Sequence, residues 1–459
     1  MSQALTDLAA PIAETAAEAR LAHAVDLLAA RSPDRPAFVL GAGGDEPRRI
    51  DFATLAAAVG RFEERLEAVR PVGVVARATR PDALVTITAA CGRRHVPVAL
   101  LADDAHDLLG ELHDWVTVGD ALELPPGGQP VRGDLATEPQ HVVVATSGTS
   151  GPPRLVTHTF DALLAAVRQA EQWQGIGWLL AYDATRWAGV QVWVQSLLTG
   201  GRLVVPASRE PDTVARALVD EAVSVLPATP TLLRRLLTSA DRETLGRANL
   251  ERITLGGEAA DAALLTQAQA AFPQARITQI YATTELGEVF RVADGLPGFP
   301  ATWLGRTLPG GVRLTTRRDG ELLVQLSRDT AEVGTGDFVE RRGDRFEFTG
   351  RRSDVIVVGG AKVLPRRLEE VLRRVPGVAD TRVYGMPSAI TGEIVAAEIA
   401  LADPLPEAAT PETVREAAQA ACRAAVEPHA VPRILDVVKR IATTPAGKVA
   451  RRPVALATP

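Results

Sequence analysis

Hydrophobic and polar residues follow two periods over the first 350 residues of the chain. Between Phe52 and Val69 the apolar positions recur at helical spacing, which predicts an amphipathic helix. The runs Pro71 to Ala76 and His141 to Ala145 are short and β-branched, which predicts buried strands. Because such helices and strands alternate, the sequence predicts an α/β fold with mostly parallel sheets that are covered by helices.

The pattern changes at two points further along the chain. From about residue 310, short strand-like runs separated by turns predict a small β-rich subdomain. From residue 351 a second mixed unit follows, and its length is typical of an independent domain. We therefore predict two domains, residues 1–350 and residues 351–459, of which the second is a smaller α+β unit.

Charge and composition exclude several classes of protein. The chain carries 50 lysines and arginines interspersed among 56 aspartates and glutamates, so it lacks the basic surface that nucleic-acid binding requires. The sequence contains no apolar run long enough to predict a membrane span, and acidic residues near its start argue against a signal peptide. Cys91 and Cys422 lie too far apart in sequence to predict a zinc site or a disulfide scaffold. We expect a cytoplasmic protein that acts on small molecules.

A polar, glycine-rich loop follows the predicted strand that ends at Ala145. Such a loop presents backbone N–H groups and hydroxyls to anionic oxygens, and its glycines permit a close approach. The Walker A pattern is absent. Taken alone, the loop is also explained as a flexible surface turn, so its assignment depends on the other motifs.

This loop resembles the (Y/T)-S-G-(T/S)-(T/S)-G-x-P-K signature of the adenylate-forming superfamily, and further motifs follow in the family's order over nearly the whole chain. That superfamily contains acyl- and aryl-CoA synthetases, acyl-AMP ligases that load carrier proteins, peptide-synthetase adenylation domains and luciferases. Arg154 stands where the family has lysine, but arginine keeps the positive charge and can fork onto phosphate. By resemblance, the loop residues that bind ATP are Thr146, Ser147, Gly148, Thr149, Ser150 and Gly151.

Further motifs resemble the rest of the family's nucleotide site. In the element that resembles Y-G-x-T-E, Tyr281 would pack on adenine and Thr284 would touch phosphate. Glu285 would help to hold Mg²⁺, a hard cation for which a carboxylate is a suitable ligand. Asp337, in a T-G-D element, would accept hydrogen bonds from both ribose hydroxyls. The implied ATP-binding set also contains Gly256, Gly257, Glu258, Ala282, Thr283 and Arg351.

The C-terminal part resembles the mobile lid of the family. Gly350 to Asp354 resembles the hinge motif, with Ser353 in place of the usual Asp or Lys. Thr443 to Arg451 resembles the terminal motif, in which Lys448 would bridge the substrate carboxylate and the α-phosphate. Lysine occurs at only three positions of the chain, which favours a functional role for Lys448. The loop that would turn toward the site for thioester formation consists of Gly359, Gly360 and Ala361.

The segment Tyr182 to Val190 occupies the position of the family's acid pocket. Arg186 argues against an α-amino acid because two cations would repel each other, although Arg186 could equally point away and pair with an acidic neighbour. A flat apolar wall would favour an aryl, aryl-acrylic or medium-chain acid. The predicted pocket residues are Tyr182, Arg186, Trp187, Gly189, Val190 and Leu286.

The resemblance implies an AMP-forming ligase that uses ATP and Mg²⁺. The carboxylate would attack the α-phosphate to give an acyl-adenylate, and rotation of the lid about Ser353 would then admit a thiol, with CoA favoured. Phosphopantetheine on an acyl carrier protein is an alternative acceptor, and nitrite-dependent diazotisation of an aryl amine is a further alternative. A degenerate nucleotide-binding sensor is the alternative without catalysis, and it would bind ATP without releasing AMP.

Overall fold

Four β-sheets, three of them flanked by helices, organise the described residues of the computed structural model. The structure describes residues 15–124, 141–146, 153–167, 175–407, 409–444 and 448–450. In chain order, the strands are β1 Pro36–Ala42, β2 Arg48–Asp51, β3 Val74–Ala76, β4 Val98–Leu100, β5 Val116–Val118, β6 His141–Ala145, β7 Leu155–Thr159, β8 Gly177–Leu179, β9 Arg202–Pro206, β10 Val223–Ala228, β11 Arg252–Gly256, β12 Arg276–Thr283, β13 Gly287–Val292, β14 Phe299–Pro300, β15 Arg313–Thr316, β16 Glu321–Gln325, β17 Val333–Arg342, β18 Arg345–Arg351, β19 Ile356–Val358, β20 Ala361–Val363, β21 Val378–Ser388, β22 Gly392–Leu401 and β23 Ile434–Val438.

Most of the described α-helices begin where the sequence supplies a capping residue or a proline in the first turn. Asp51, Thr159, Thr229 and Asp261 each accept a hydrogen bond from a backbone N–H of the helix that follows. In chain order, the α-helices are α1 Arg20–Arg31, α2 Phe52–Val69, α3 Pro81–Arg93, α4 Phe160–Leu164, α5 Trp187–Leu198, α6 Pro211–Asp220, α7 Pro230–Ser239, α8 Arg242–Gly246, α9 Ala262–Ala271, α10 Pro365–Arg373 and α11 Pro411–Ala425.

The first two sheets, of eight and five strands, are mainly parallel. The first has the strand order β13-β12-β11-β10-β8-β9-β1-β2, and only its two edge pairs, β12–β13 and β1–β2, are antiparallel. The second has the order β5-β3-β4-β6-β7 and ends in the antiparallel pair β6–β7. Helices α1, α2, α3 and α5 share one hydrophobic core with both sheets, and α6, α7 and α9 cover the opposite face of the first sheet.

Two further sheets of five strands each follow, and all their strand pairs except β22–β23 are antiparallel. The first has the order β14-β18-β17-β16-β15 and packs on an aromatic cluster that contains Phe290, Phe299 and Trp303. The last sheet has the order β20-β19-β22-β21, with β23 parallel to β22, and its core is formed with α10 and α11. The predicted α/β class, the β-rich subdomain and the α+β character of the C-terminal part are confirmed.

Most element boundaries agree with the sequence pattern to within a few residues. The sequence pattern also predicts a helix over 160–172, but the described helix ends at Leu164 and is followed by a turn at 165–166, while residues 168–174 lie outside the described ranges. A larger difference is α5, a helix in which Trp187 to Leu198 are mostly buried, where the sequence predicted only a pocket segment. Across the described residues, no helix combines the length and the apolar character needed to cross a membrane.

Candidate active site

A cleft of about 720 Å³ opens where the carboxyl ends of β10, β11 and β12 meet α5 and the C-terminal part of the chain. Such a position, beyond the carboxyl ends of parallel strands, is where α/β sheets commonly bind ligands. The predicted site residues that line the cleft are Thr146, Arg154, Tyr182, Arg186, Trp187, Gly256, Gly257, Glu258, Tyr281, Ala282, Thr283, Thr284, Glu285, Asp337, Arg351, Ser353 and Lys448. The fold therefore brings together residues that are up to 302 positions apart in sequence, from Thr146 to Lys448.

Asp337 is the centre of a hydrogen-bonded group at one end of the cleft. The Tyr281 hydroxyl donates to its Oδ2 at 2.7 Å, and the Arg351 Nε lies 2.8 Å from its Oδ1. The pair is set by the backbone, because Asp337 on β17 is the register partner of Arg351 on β18. Burial raises the pKa of Asp337, and the Arg351 guanidinium opposes that rise.

Tyr281 lies in an aromatic stack. Its ring centroid is 5.1 Å from that of Phe290 and 4.9 Å from that of Phe348, with the planes nearly parallel in both pairs. Burial raises the pKa of Tyr281, and the neighbouring Asp337 carboxylate raises it further. The phenol is therefore neutral and can act as the donor to Asp337.

Lys448 reaches into the same cleft from the C-terminal part of the chain. Its stem packs on Gly257, where an added Cβ would lie 2.9 Å from the lysine Cε. Burial lowers the pKa of Lys448 and so does the Arg351 charge, whereas the carboxylates of Glu258, Asp337 and Asp354 oppose the shift. This mixture of one lysine, one arginine and several carboxylates is suited to binding a group that carries both charge and hydroxyls.

Glu258 is held by the protein on both carboxylate oxygens. Oε2 accepts hydrogen bonds from the Thr231 backbone N–H at 3.2 Å and the Thr231 hydroxyl at 2.6 Å. Oε1 accepts a bond from the Val449 N–H at 3.0 Å. Glu258, which was predicted to bind ATP, therefore already has protein partners on both carboxylate oxygens. The sequence pattern did not indicate these partners.

The turn after β12 places Thr284 and Glu285 at the cleft, and Glu285 is exposed there. Beneath the turn lies His158 on β7, a buried residue that sequence reasoning missed. Its ring stacks on Trp187 with centroids 4.2 Å apart. Burial lowers the pKa of His158, while the Thr284 backbone and the Glu285 carboxylate oppose that shift. His158 thus supports the turn from below as a neutral aromatic ring.

The glycine-rich loop can be placed only at its two ends. Thr146 and Arg154 line the cleft, and the Arg154 N–H donates to the Thr146 hydroxyl at 2.9 Å. The predicted loop residues Ser147, Gly148, Thr149, Ser150 and Gly151 lie outside the described ranges.

Arg186 pairs with an acidic neighbour, as the second of its two sequence-based alternatives states, although it also lines the cleft. Its guanidinium pairs with Asp104 and donates to the carbonyl oxygens of Ala145 at 3.1 Å and Thr146 at 2.6 Å. The residue is buried, with 7% exposure, so the charge is compensated inside the protein. The repulsion argument against an α-amino acid therefore no longer holds, because Asp104 balances the arginine.

The apolar wall of the pocket was predicted from Trp187, Gly189 and Val190, and only Trp187 lines the cleft. Val190 is fully buried in the core. Gly189 packs against the preceding turn, where a Cβ would lie 1.9 Å from the Asp183 carbonyl oxygen. Because α5 is a helix, its cleft-facing residues recur at helical spacing, and sequence reasoning missed several of them. The described α5 residues that line the cleft are Trp187, Ala188, Gln191, Val192 and Gln195.

Four further predicted positions are not among the described residues that line the cleft. Leu286 packs with the aromatic cluster of the sheet that contains β14 to β18. Gly359 and Gly360 form the turn between β19 and β20, Ala361 is the first residue of β20, and none of the three is among the described residues that line the cleft. Ser353 lines the cleft, and its hydroxyl donates to Asp354 at 3.0 Å. In this arrangement Lys448, and not the 359–361 turn, faces the site.

Comparisons with known proteins agree with this geometry. The chain matches the model of the AMP-binding enzymes over residues 129–321 and that of the AMP-binding enzyme C-terminal domain over residues 367–448. A Mycobacterium tuberculosis protein named "Probable 2-succinylbenzoate–CoA ligase" is 31% identical over 340 residues, which cover 71% of this chain and 85% of that protein. The medium/long-chain-fatty-acid–[acyl-carrier-protein] ligase FadD10 of M. tuberculosis is 25% identical over 374 residues, which cover 71% of this chain and 67% of FadD10.

A solved structure of similar fold is that of the o-succinylbenzoate CoA synthetase MenE from Bacillus subtilis in complex with its acyl-adenylate intermediate. The TM-score is 0.64 at 22% identity, and the match covers 95% of this chain and 98% of that one. At this level of identity the likeness concerns the fold, which agrees with the arrangement of sheets described above.

Proposed function

The chain belongs to the family of AMP-binding, adenylate-forming enzymes, and from this premise we propose that it joins a carboxylic acid to AMP and then transfers the acyl group to a thiol. The observation that carries the proposal is the position of Lys448 in one cleft with Tyr281, Asp337 and Arg351. A degenerate sensor would not require a lysine to be delivered from the C-terminal part of the chain into a nucleotide-sized cleft. Membership in an enzyme family likewise favours catalysis.

In the first half-reaction, a carboxylate oxygen of the acid attacks the α-phosphorus of ATP. The bond from that phosphorus to the bridging oxygen breaks, and pyrophosphate leaves. The Lys448 ammonium lies between the two anionic reactants, reduces their repulsion and stabilises the charge of the transition state. Asp337 is placed to accept hydrogen bonds from the ribose hydroxyls, and Arg351 is placed to contact the ribose or the phosphates.

The residues present fit the magnesium ion that the family implies. Glu285 is exposed at the cleft, with no hydrogen bond or ion pair to another described residue, and a carboxylate is a suitable ligand for a hard cation. Magnesium in nucleotide sites commonly takes few protein ligands and several from phosphate and water, which agrees with a single acidic residue here. When bound, the ion would neutralise charge on the departing pyrophosphate.

We propose that residues 351–459 form the mobile lid, with Ser353 at the hinge. The support is topological, since β18 ends at Arg351 and the strands from β19 onward belong to a separate sheet. Rotation would withdraw Lys448 and bring the turn 359–361 toward the cleft, where a thiol could attack the acyl-adenylate. CoA is the favoured thiol, and the phosphopantetheine of a carrier protein presents the same reacting group.

The residues that line the cleft indicate which chemical class of acid fits the site. Its floor is the sheet face that carries Thr254 and Thr278, and α5 contributes Trp187, Gln191 and Gln195, which share one face of the helix. Arg276 begins β12 and lies five residues before Tyr281, which corresponds to about 16 Å along a strand. We therefore propose an aryl acid or an elongated acid that carries a polar or anionic group at the end remote from the reacting carboxylate.

ATP–pyrophosphate exchange over a panel of acids tests the proposed function. We expect exchange with at least one substituted aryl or dicarboxylic acid, and loss of exchange in Lys448→Ala with ATP binding largely retained. Lys439→Ala is the matched control because Lys439 is exposed and lies outside the cleft lining among the described residues. Equal turnover in Lys448→Ala and the wild type would refute the assignment.

A further inference from the structure

Glu258 connects two parts of the molecule that the proposed reaction moves apart. On the core side, its Oε2 accepts two hydrogen bonds from Thr231, which is the second residue of α7. A carboxylate at the N-terminus of a helix is further stabilised by the helix dipole. The side chain is therefore fixed on the core before any contact with the C-terminal part is considered.

On the other side, Glu258 holds the residue next to Lys448. Its Oε1 accepts the Val449 N–H at 3.0 Å. Val449 belongs to a short hairpin in which the Thr444 N–H donates to the Lys448 carbonyl at 2.7 Å and Thr443 pairs with Val449. The bonded N–H belongs to the peptide unit that joins Lys448 to Val449. This contact therefore fixes the backbone from which the lysine side chain extends.

The residues that follow Glu258 also contact the C-terminal part. Arg366 on α10 donates to the Ala259 carbonyl oxygen at 3.0 Å. Arg373 on the same helix lies 3.5 Å from Asp261, which caps α9 and pairs with Arg234. The segment 258–261, here called the docking segment, thus receives contacts from both the hairpin and α10.

From this geometry we infer that Glu258 is a positioning residue that holds Lys448 in place for adenylate formation, and that its carboxylate does not contact the nucleotide. The inference rests on the proposed function. Rotation of the lid requires the Glu258–Val449 bond and the two arginine contacts of the docking segment to break. The loss of Glu258 therefore slows the half-reaction that needs Lys448 and leaves the binding of ATP unchanged.

Kinetics of Glu258→Ala and Glu258→Gln test the inference. We expect kcat for pyrophosphate exchange to fall about ten- to a hundredfold in Glu258→Ala, because a hydrogen bond to a charged group is lost, with KM for ATP unchanged. Glu258→Gln should lie between Glu258→Ala and the wild type, since an amide oxygen can still accept the Val449 N–H. A raised KM for ATP with kcat unchanged would show that Glu258 binds nucleotide and would overturn the inference.

Hydrogen–deuterium exchange provides a second measurement that does not depend on catalysis. We expect faster amide exchange in peptides covering residues 441–450 of Glu258→Ala, and a smaller increase in Thr231→Val, which removes one of the two core-side anchors. Glu210→Gln is the matched control because Glu210 also joins the core to the C-terminal part, through Arg440, but on the exposed surface. Unchanged exchange at 441–450 in both Glu258 variants would overturn the inference, whereas a wild type without pyrophosphate exchange would overturn only the proposed function.

Discussion

Lys448 packs so closely against Gly257 that a side chain at position 257 would displace the lysine. A Cβ there would lie 2.9 Å from the lysine Cε and 3.6 Å from Nζ, and the residue has a positive φ of 82°. Close packing and backbone conformation therefore both require glycine. Because Gly257 belongs to the core and Lys448 to the C-terminal part, the contact exists only while the two parts are together in this arrangement.

A comparison of alanine at position 257 with alanine at a glycine of similar φ in open space separates the effect of close packing from that of backbone conformation. We expect Gly257→Ala to lower pyrophosphate exchange more than tenfold, since the added methyl displaces the lysine by a distance that catalysis does not tolerate. Gly310→Ala is the matched control because Gly310 has φ 87° and nothing within 4 Å of an added Cβ. Both variants should lose about 1 kcal/mol of unfolding free energy from backbone strain. Equal exchange rates in the two variants would contradict the prediction.

The pH dependence of the first half-reaction should report Lys448. Burial lowers its pKa, so the ammonium loses its proton at a lower pH than an exposed lysine does. Since the protonated form is the active one, kcat/KM for ATP should fall on the alkaline side below the usual lysine range. Lys448→Arg should keep weak activity and lose this alkaline limb, because arginine stays protonated. Identical profiles for the two proteins would assign the limb to another group.

The acid side of the same profile should report Asp337. Burial raises its pKa, so the carboxylate is protonated, and ATP binding weakens, as the pH falls through this raised value. The Tyr281 hydroxyl donates to the charged form and therefore holds the pKa down. Tyr281→Phe should move the acid limb to higher pH and raise KM for ATP about two- to tenfold. A limb that moves to lower pH would contradict the assigned direction of the hydrogen bond.

Arg186 should affect stability more than substrate choice. Arg186→Met leaves Asp104 and the carbonyl oxygens of Ala145 and Thr146 without their donor. Asp104 is partly exposed, so we expect a loss of about 1–3 kcal/mol in urea unfolding, less than for a fully buried pair. The ratios of kcat/KM among acids of the panel should stay unchanged. A change of acid preference without a loss of stability would restore Arg186 to the acid pocket.

Arg276 should affect substrate choice more than stability. For an acid with a remote carboxylate, Arg276→Ala should lower kcat/KM about three- to tenfold relative to the same acid without that group, since the arginine lines the cleft but is exposed at the start of β12. The comparison of matched acid pairs by pyrophosphate exchange measures this. Equal losses for both members of each pair would indicate that Arg276 does not contact the remote group.

The sequence predicted the parts of the site that local chemistry determines. The strand before Thr146, the turn at Thr284 and the T-G-D strand with Asp337 depend on glycines, capping residues and hydrophobic period, which are visible over a few residues. These residues line the described cleft, as the resemblance implied. Lys448 was predicted from its motif, although its contact with Gly257 lies 191 positions away and could not be derived from spacing.

Side-chain partners in tertiary structure were the part that sequence could not provide. Arg186 looks like a pocket cation until Asp104, 82 residues earlier, is seen to pair with it. Val190 was assigned to the pocket wall because its segment occupies the position of the family's acid pocket, whereas the helical α5 turns this residue into the core. The carboxylate of Glu258 shows no sequence signal of its use, since Thr231 and Val449 are joined to it only by the fold.

The scarcity of lysine gives the half-buried Lys448 an experimental use. Of the chain's three lysines, Lys362 and Lys439 are exposed, while Lys448 lies against Gly257 in the cleft. An amine-specific acylating reagent should therefore modify two lysines quickly and the third only when its hairpin has left the core. Peptide mass spectrometry can then follow the departure of the hairpin from the core in an enzyme without mutations or attached probes, as the slow appearance of acylated Lys448.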